Sequence, residues 1–379
     1  MAETEHPELR KAGKRGRLVV ALFTILPVLL TALAAFIVYT TSEKTHKSFE
    51  AGKTFYAVEV RGGVKIALDA AGRPLTLVTE GGLQPEGFPP SRTARVPVRR
   101  AVVGSGDFDI GIMESLGMAD SVVGVCVKKG ELLSPELSKR YEEGLLAYVG
   151  DSTALNYELI QSLEPDLVLC PNLRCAEIVE ETGIPSSIAY SPLDNSLKAR
   201  MRFVEYLAAF GGKESLAGSF IDRSESAMER LREKGAGLPR VKVMWAVIFE
   251  KRVFAEPGEN WVGEIVRGLG ADYVFADVKG ASTEEVSLEH FVEKGRSADV
   301  LILYPTAGQL EGGKETVIRK NPAVSPIKPL GPDGRTYATL PLFYESFGNL
   351  TEIMEELFMI LHPELYPEQR NFKYFQELH

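Results

Sequence analysis

The chain has 379 residues, 45% hydrophobic and 25% charged, with a formal net charge of −9. That length exceeds one small core and suits two lobes, and the acidic balance argues against nucleic acid, because phosphate binding needs a basic surface. Three cysteines, Cys126, Cys170 and Cys175, are too few for a disulfide framework; Cys170 and Cys175 can pair, but buried free thiols are the expectation.

Residues 18–40 form a 23-residue stretch without charge. At a rise of ~1.5 Å per residue it spans a bilayer core of ~30 Å. Residues 1–17 are a cytoplasmic basic tail with Arg10, Lys11, Lys14, Arg15 and Arg17. Their net charge is +2, which leaves −11 for the remainder, outside the cytoplasm. Ala32-Leu33-Ala34 resembles a cleavage site. The apolar run continues through Phe36, Ile37, Val38 and Tyr39, however, so a single-pass membrane anchor is expected. A cleaved signal and a periplasmic protein are the alternative. No cysteine lies near the segment, so attachment through a lipidated cysteine is excluded.

Residues 41–98 read as a polar tether followed by a β-hairpin region. Tyr56, Val58 and Val60 alternate with polar residues, Gly62-Gly63 turns the chain, and Val64, Ile66 and Leu68 alternate again. Residues 75–78 add a third strand, and the Gly- and Pro-rich stretch 80–98 reads as a loop.

Residues 99–212 form an N-terminal α/β lobe. Strands are expected at 101–103, 122–126, 167–170 and 188–190, alternating with helices, which implies a parallel sheet. Residues 213–235 read as one linker helix with Leu216, Phe220, Ala227 and Leu231 as its apolar stripe. Residues 236–379 form a C-terminal α/β lobe, with strands at 241–248, 273–276 and around Leu301. Its terminal helix carries Leu350, Ile353, Met354, Leu357, Phe358 and Leu361 on one face. The fold expected is α/β: two Rossmann-like lobes with parallel sheets joined by a long helix, after a transmembrane helix and a short β-hairpin region.

One pattern occurs twice. The first copy runs from Asn156-Tyr157-Glu158 to Glu164-Pro165-Asp166-Leu167-Val168-Leu169-Cys170-Pro171. The second runs from Ser287-Leu288-Glu289 to Ala298-Asp299-Val300-Leu301-Ile302-Leu303-Tyr304-Pro305. Each has a helix N-cap, a first-turn glutamate, a short helix, an aspartate, a buried strand and a proline. A carboxylate in the first helical turn is favoured by the macrodipole, by ~0.3–1 kcal/mol. A lone first-turn glutamate is commonplace; the matched pair makes Glu158 and Glu289 docking candidates.

These segments, with Leu116-Gly117, Val149-Gly150, Gly183-Ile184-Pro185 and Gly268-Leu269-Gly270-Ala271-Asp272-Tyr273, resemble the substrate-binding proteins of ABC importers for ferric siderophores, haem and cobalamin. The resemblance covers roughly residues 98–365. It implies an extracytoplasmic domain whose two lobes are joined by one rigid helix. It also implies an ABC permease and its ATPase as partners, a metal chelate as the captured small molecule, and one glutamate per lobe docking on permease arginines. The matching positions are Glu158 and Glu289.

In open α/β sheets ligands bind beyond the carboxyl ends of the strands. The loops there offer Phe108, Asn172, Arg174, Tyr190, Trp245, Arg252, Trp261, Tyr304 and Thr306. Aromatic walls with a cation suit a large, partly apolar, anionic chelate such as a ferric siderophore, with haem or cobalamin as alternatives. Trp245 lies within a strand and reads equally well as core, and Arg174 as a solvated residue. The five histidines provide no three-histidine set, so no direct metal site and no resident cofactor are expected. An enzyme is not expected: G-x-S-x-G and the P-loop are missing, and Gly104-Ser105-Gly106 lacks the third glycine of a dinucleotide fingerprint. A tetrapyrrole chelatase-like enzyme or a surface sensor on the same fold are the competing readings.

Overall fold

The computed structural model describes residues 56–61, 64–189, 195–369 and 371–379. The expected basic tail at 1–17, the anchor at 18–40, the polar tether at 41–54, the Gly62-Gly63 turn and Tyr190 lie outside them. Among the described residues no helix is long and apolar enough to cross a membrane.

A four-stranded sheet comes first: β1 (Ala57–Arg61), β2 (Val64–Leu68), β3 (Pro74–Thr79) and β4 (Thr93–Val96), in that spatial order. β1, β2 and β3 are antiparallel neighbours, as the alternation requires, and β4 runs parallel to β3. β4 lies inside the stretch read as a loop; four residues among glycines and prolines carry too little pattern to betray a strand. Val60 is exposed, against the alternation. This sheet sits on the first lobe: Ala70 N–H donates to Ile188 O, Ile188 N–H to the Asp69 carboxylate, and the Tyr56 hydroxyl to Ala189 O.

The N-terminal lobe contains β5 (Ala101–Val103), α1 (Asp107–Ser115), β6 (Val122–Val125), α2 (Pro135–Glu142) and β7 (Ala147–Tyr148). The hairpin β8 (Gly150–Asp151) and β9 (Ala154–Leu155) follows, then α3 (Tyr157–Ser162), β10 (Leu167–Cys170), α4 (Leu173–Glu181) and β11 (Ser186–Ile188). The sheet order is β11-β10-β5-β6-β7, all parallel. Chain order reverses between β5 and β10, which makes the loops after these two strands the switch point where such sheets bind ligands. β5, β6 and β10 are buried throughout, as strands covered on both faces must be. Cys170 and Cys175 are disulfide-bonded, with Cα atoms 5.7 Å apart, rather than free thiols. The bond links the end of β10 to the first turn of α4. Cys126 is free and buried.

Helix α5 (Leu197–Gly211) ends at Gly212, which takes the left-handed φ of 63° that a residue without Cβ accommodates. The 21-residue linker helix α6 (Glu214–Lys234) follows and buries Ala217, Phe220, Ser224, Ala227 and Leu231. Leu216, read as part of its stripe, is exposed, and Ala217 takes the inward position one residue on.

The C-terminal lobe comprises β12 (Lys242–Phe249), β13 (Arg252–Ala255), α7 (Trp261–Gly268), β14 (Asp272–Tyr273), β15 (Glu284–Val286) and α8 (Leu288–Gly295). β16 (Val300–Leu303), α9 (Gln309–Lys320), β17 (Arg335–Thr339), α10 (Leu350–Leu361) and β18 (Phe375–Glu377) complete it. Its sheet corrects the expectation of a wholly parallel one. β12, β14, β16 and β17 are parallel, but β13 returns as a hairpin on β12, β15 pairs antiparallel with β13, and β18 antiparallel with β17.

Candidate ligand cleft and docking edge

Helix α1 leaves the carboxyl end of β5, and its Gly111 abuts the backbone carbonyl of Glu345, in the segment that follows the carboxyl end of β17. A Cβ at residue 111 would collide with that carbonyl. The Glu345 carboxylate reaches back and accepts the N–H groups of Leu133 (3.0 Å) and Ser134 (3.1 Å), in the segment after β6. The carboxyl edges of the two sheets therefore meet here.

Aromatic rings fill the junction. Phe108 of the first lobe lies 6.4 Å from Trp261 and 5.0 Å from Phe347 of the second, centroid to centroid. Trp261 stacks on Phe343 at 5.7 Å. The Arg200 guanidinium of α5 sits 3.9 Å above the Phe108 ring, and its Nε donates to Asn195 Oδ1 at 2.6 Å. A cation over an aromatic face is attracted by the ring quadrupole, so that face of Phe108 is already occupied.

Buried acids surround this cation. Asp109 of α1 accepts from the Ser105 hydroxyl. Burial pushes its carboxyl up to about 7, opposed by the Ser105 hydrogen bond and by Arg200, with Asp107 adding to the rise. Burial likewise raises Glu256, against hydrogen bonds from Tyr304, Asn260 and Thr283 and the attraction of Arg200. Burial and the Glu256 carboxylate in turn push the Tyr304 phenol well above its usual range. Tyr304 is thus held as a protonated donor to the Glu256 carboxylate. Burial, then Asp109 and Asp107, lift the Cys126 thiol to about 12. Among the described residues no group of three His, Cys, Asp or Glu is placed to hold a metal ion.

The nominated residues divide. Phe108, Trp261 and Tyr304 come together at the junction, Tyr304 lying 6.2 Å from Phe343. Trp245 is 1% exposed, packed among Tyr304, Phe343 and Phe375, and so is core rather than cleft wall. Asn172 spends its side-chain oxygen capping α4, accepting from Cys175 N–H at 3.0 Å. Arg174, in the first turn of α4, is exposed. Arg252 lies on β13 and is committed to a bidentate pair with Glu285 at 2.9 and 2.6 Å. Thr306 donates its N–H to Gln309 Oε1 at 2.7 Å, in the turn before α9. Asp109, Arg200, Glu256 and Glu345 were missed. A signal existed for two of them: Asp109 stands three and four residues before Ile112 and Met113, and Arg200 before Phe203 and Val204, so each shares a buried helix face.

Glu158 and Glu289 are both exposed, and among the described residues neither makes an ion pair or side-chain hydrogen bond. Asn156 caps α3 by accepting Leu159 N–H at 3.0 Å, and Ser287 caps α8 by accepting His290 N–H at 3.2 Å. Register fixes where these caps lie. Asn156 N–H bonds Val149 O, and Val149 N–H bonds Val125 O at the last residue of β6. Ser287 follows Val286, which faces Val253 and through it Ile248, near the carboxyl end of β12. Both glutamates therefore stand on the carboxyl edges of their sheets.

Residues 104–329, more than half of the chain, match the family described as "Periplasmic binding protein". An uncharacterized lipoprotein of Methanocaldococcus jannaschii is 25% identical over 333 residues, covering 83% of each chain. Among solved structures, a periplasmic haem-binding protein from Pseudomonas aeruginosa superposes with TM-score 0.57 at 15% identity, over 74% of this chain and 98% of that one. A possible iron-binding periplasmic solute-binding protein from Staphylococcus epidermidis superposes with TM-score 0.55 at 17% identity, over 70% and 99%. With its two α/β lobes, helical linker and facing carboxyl edges, the chain belongs to the periplasmic binding protein family.

Proposed function

We propose that this protein is the extracytoplasmic solute-binding component of an ABC importer, and not an enzyme. It captures an iron chelate, first a ferric siderophore, between its lobes and docks on the permease through Glu158 and Glu289. Residues 18–40 hold it at the cell membrane. The supporting observation is the matched placement of two exposed, unpaired carboxylates on the carboxyl edges of two sheets that meet at an aromatic junction. Each is a fixed negative charge in a capped first turn, suited to a cationic partner surface. The α6 linker lacks the flexible hinge of strand linkers, so lobe motion is small. The loaded protein docks, and the ATPase drives release.

Haem is the second reading, favoured by the haem-binding Pseudomonas aeruginosa protein of the same fold. Native mass spectrometry with ferric siderophore, haem and cobalamin separates the chelates, and ligand returned chemically unaltered supports binding over turnover. For docking, the Glu158→Arg, Glu289→Arg double variant abolishes uptake while ligand affinity stays at the wild-type value. Uptake at the wild-type rate would reject the docking role.

A further inference from the structure

Residues 343–348 are tied to both lobes at once. On the C-terminal side, Phe343 is buried and its ring lies 5.6 Å from Trp245, 5.7 Å from Trp261 and 5.7 Å from Phe375. Two residues on, the buried Glu345 turns the other way. Its Oε1 accepts Leu133 N–H at 3.0 Å, and its Oε2 accepts Leu133 N–H at 3.2 Å and Ser134 N–H at 3.1 Å. Ser134 is itself fixed in the N-terminal lobe. It caps α2 by accepting Leu137 N–H at 3.1 Å, and its hydroxyl donates to Glu114 of α1 at 2.6 Å. Two glycines let the backbones close up around these bonds. A Cβ at residue 111 would lie 1.6 Å from Glu345 O, and one at residue 348 would lie 2.4 Å from Ser115 Cβ.

Phe108, Trp261 and Phe347 also meet across the junction, but apolar contact is non-directional and lets surfaces slide. Hydrogen bonds weaken steeply with angle, so the Glu345 oxygens set a register that the rings alone do not. Withdrawing them leaves the buried Ser134 N–H without its acceptor, which is costly. We infer that Glu345 is an interlobe latch, whose side-chain oxygens hold the C-terminal lobe in one orientation against the N-terminal lobe. It is a positioning residue, acting through the backbone of the opposite lobe. The spacing of Glu158 and Glu289, one on each lobe, follows from that orientation. This consequence rests on the docking reading, whereas the latch itself does not.

The test is an interlobe distance measured by pulsed dipolar spectroscopy on the full chain without ligand. Ser162→Cys and Ser297→Cys place spin labels at exposed positions, at the end of α3 and just after α8. Cys126 is buried and Cys170 and Cys175 are bonded, so the introduced pair takes the label. One narrow distance is expected. Glu345→Ala broadens it, and Glu345→Gln, which keeps an acceptor oxygen, leaves it narrow. Gly111→Ala retains the carboxylate but drives a methyl into Glu345 O, and broadens it too. Amide exchange at Ser134 speeds up about tenfold in Glu345→Ala, the loss of its acceptor. A distance of wild-type width in folded Glu345→Ala, even with a lowered melting temperature, would make the contact merely stabilising and overturn the latch. A Glu345→Gln distribution as broad as that of Glu345→Ala would overturn it as well. Broadened distances in Glu345→Ala with uptake at the wild-type rate would support the latch and reject the docking reading.

Discussion

The two lobes carry the same local pattern in different sheets. In the first, all five strands are parallel, and β5, β6 and β10 are wholly buried runs. In the second, a parallel centre is flanked by antiparallel β13, β15 and β18, and Glu285 of the edge strand β15 forms an exposed ion pair with Arg252 of the neighbouring β13. Charged side chains on such edges discourage pairing with a second chain. Yet both lobes set a capped helix with a first-turn glutamate at the same edge. The placement of the acids follows from the parallel strands and the cap, and tolerates different sheet margins. What differs is the polar content each lobe brings to the junction: Asp109 from the first, Glu256 and Glu345 from the second.

The largest effect expected from breaking this asymmetry is at Trp261, which is 7% exposed and touches Phe108, Phe343 and Phe347. Trp261→Ala costs about 3–5 kcal/mol of unfolding free energy in urea titrations. Phe108→Ala, half-buried in the opposite lobe, costs less. Equal losses would mean that both lobes contribute alike to the junction.

Next is Asp109. Its folded carboxyl titrates at about 7, above its usual 3.8, so the native state binds the proton more tightly than the unfolded chain. Stability therefore falls as pH rises from 4 towards 7 and stays reduced above it, by up to about 4 kcal/mol. Glu256 and Glu345, also raised, add to the slope. Asp109→Asn flattens the profile, and thermal unfolding between pH 5 and pH 8 reads the difference. A slope unchanged in the variant would assign it to the second lobe's acids.

The smallest effect compares the two caps. Asn156→Ala and Ser287→Ala each remove one side-chain acceptor from a first turn. Each is expected to lower stability by about 1 kcal/mol, measured as a shift in urea midpoint. A difference well beyond that between them would show that the two copies are not equivalent.

The repeat was legible because its signals are local: a cap, an acid, a short apolar helix and a β-run within some fifteen residues. Strands β5, β6, β10, β12 and β16 were found for the same reason, being continuous apolar runs. β4, β17 and β18 were not singled out; their strand character comes from pairing with β3, β16 and β17. Of the nine residues nominated for the cleft, Phe108, Trp261 and Tyr304 meet at the junction. Position after a strand end nominates a loop residue, but Asn172 turned to its own helix N-terminus and Arg252 to Glu285, choices made by neighbours distant from the loop signal.

The amino-acid order alone determined the two-lobe α/β plan, the long linker helix and the matched first-turn glutamates, because periodicity and capping act over a few residues. Only the folded molecule decided that Cys170 and Cys175 join, that Arg200 lies over Phe108, and that Asp109 and Glu256 are buried around it. Those contacts depend on how separate elements pack, and packing brings together side chains far apart in the chain.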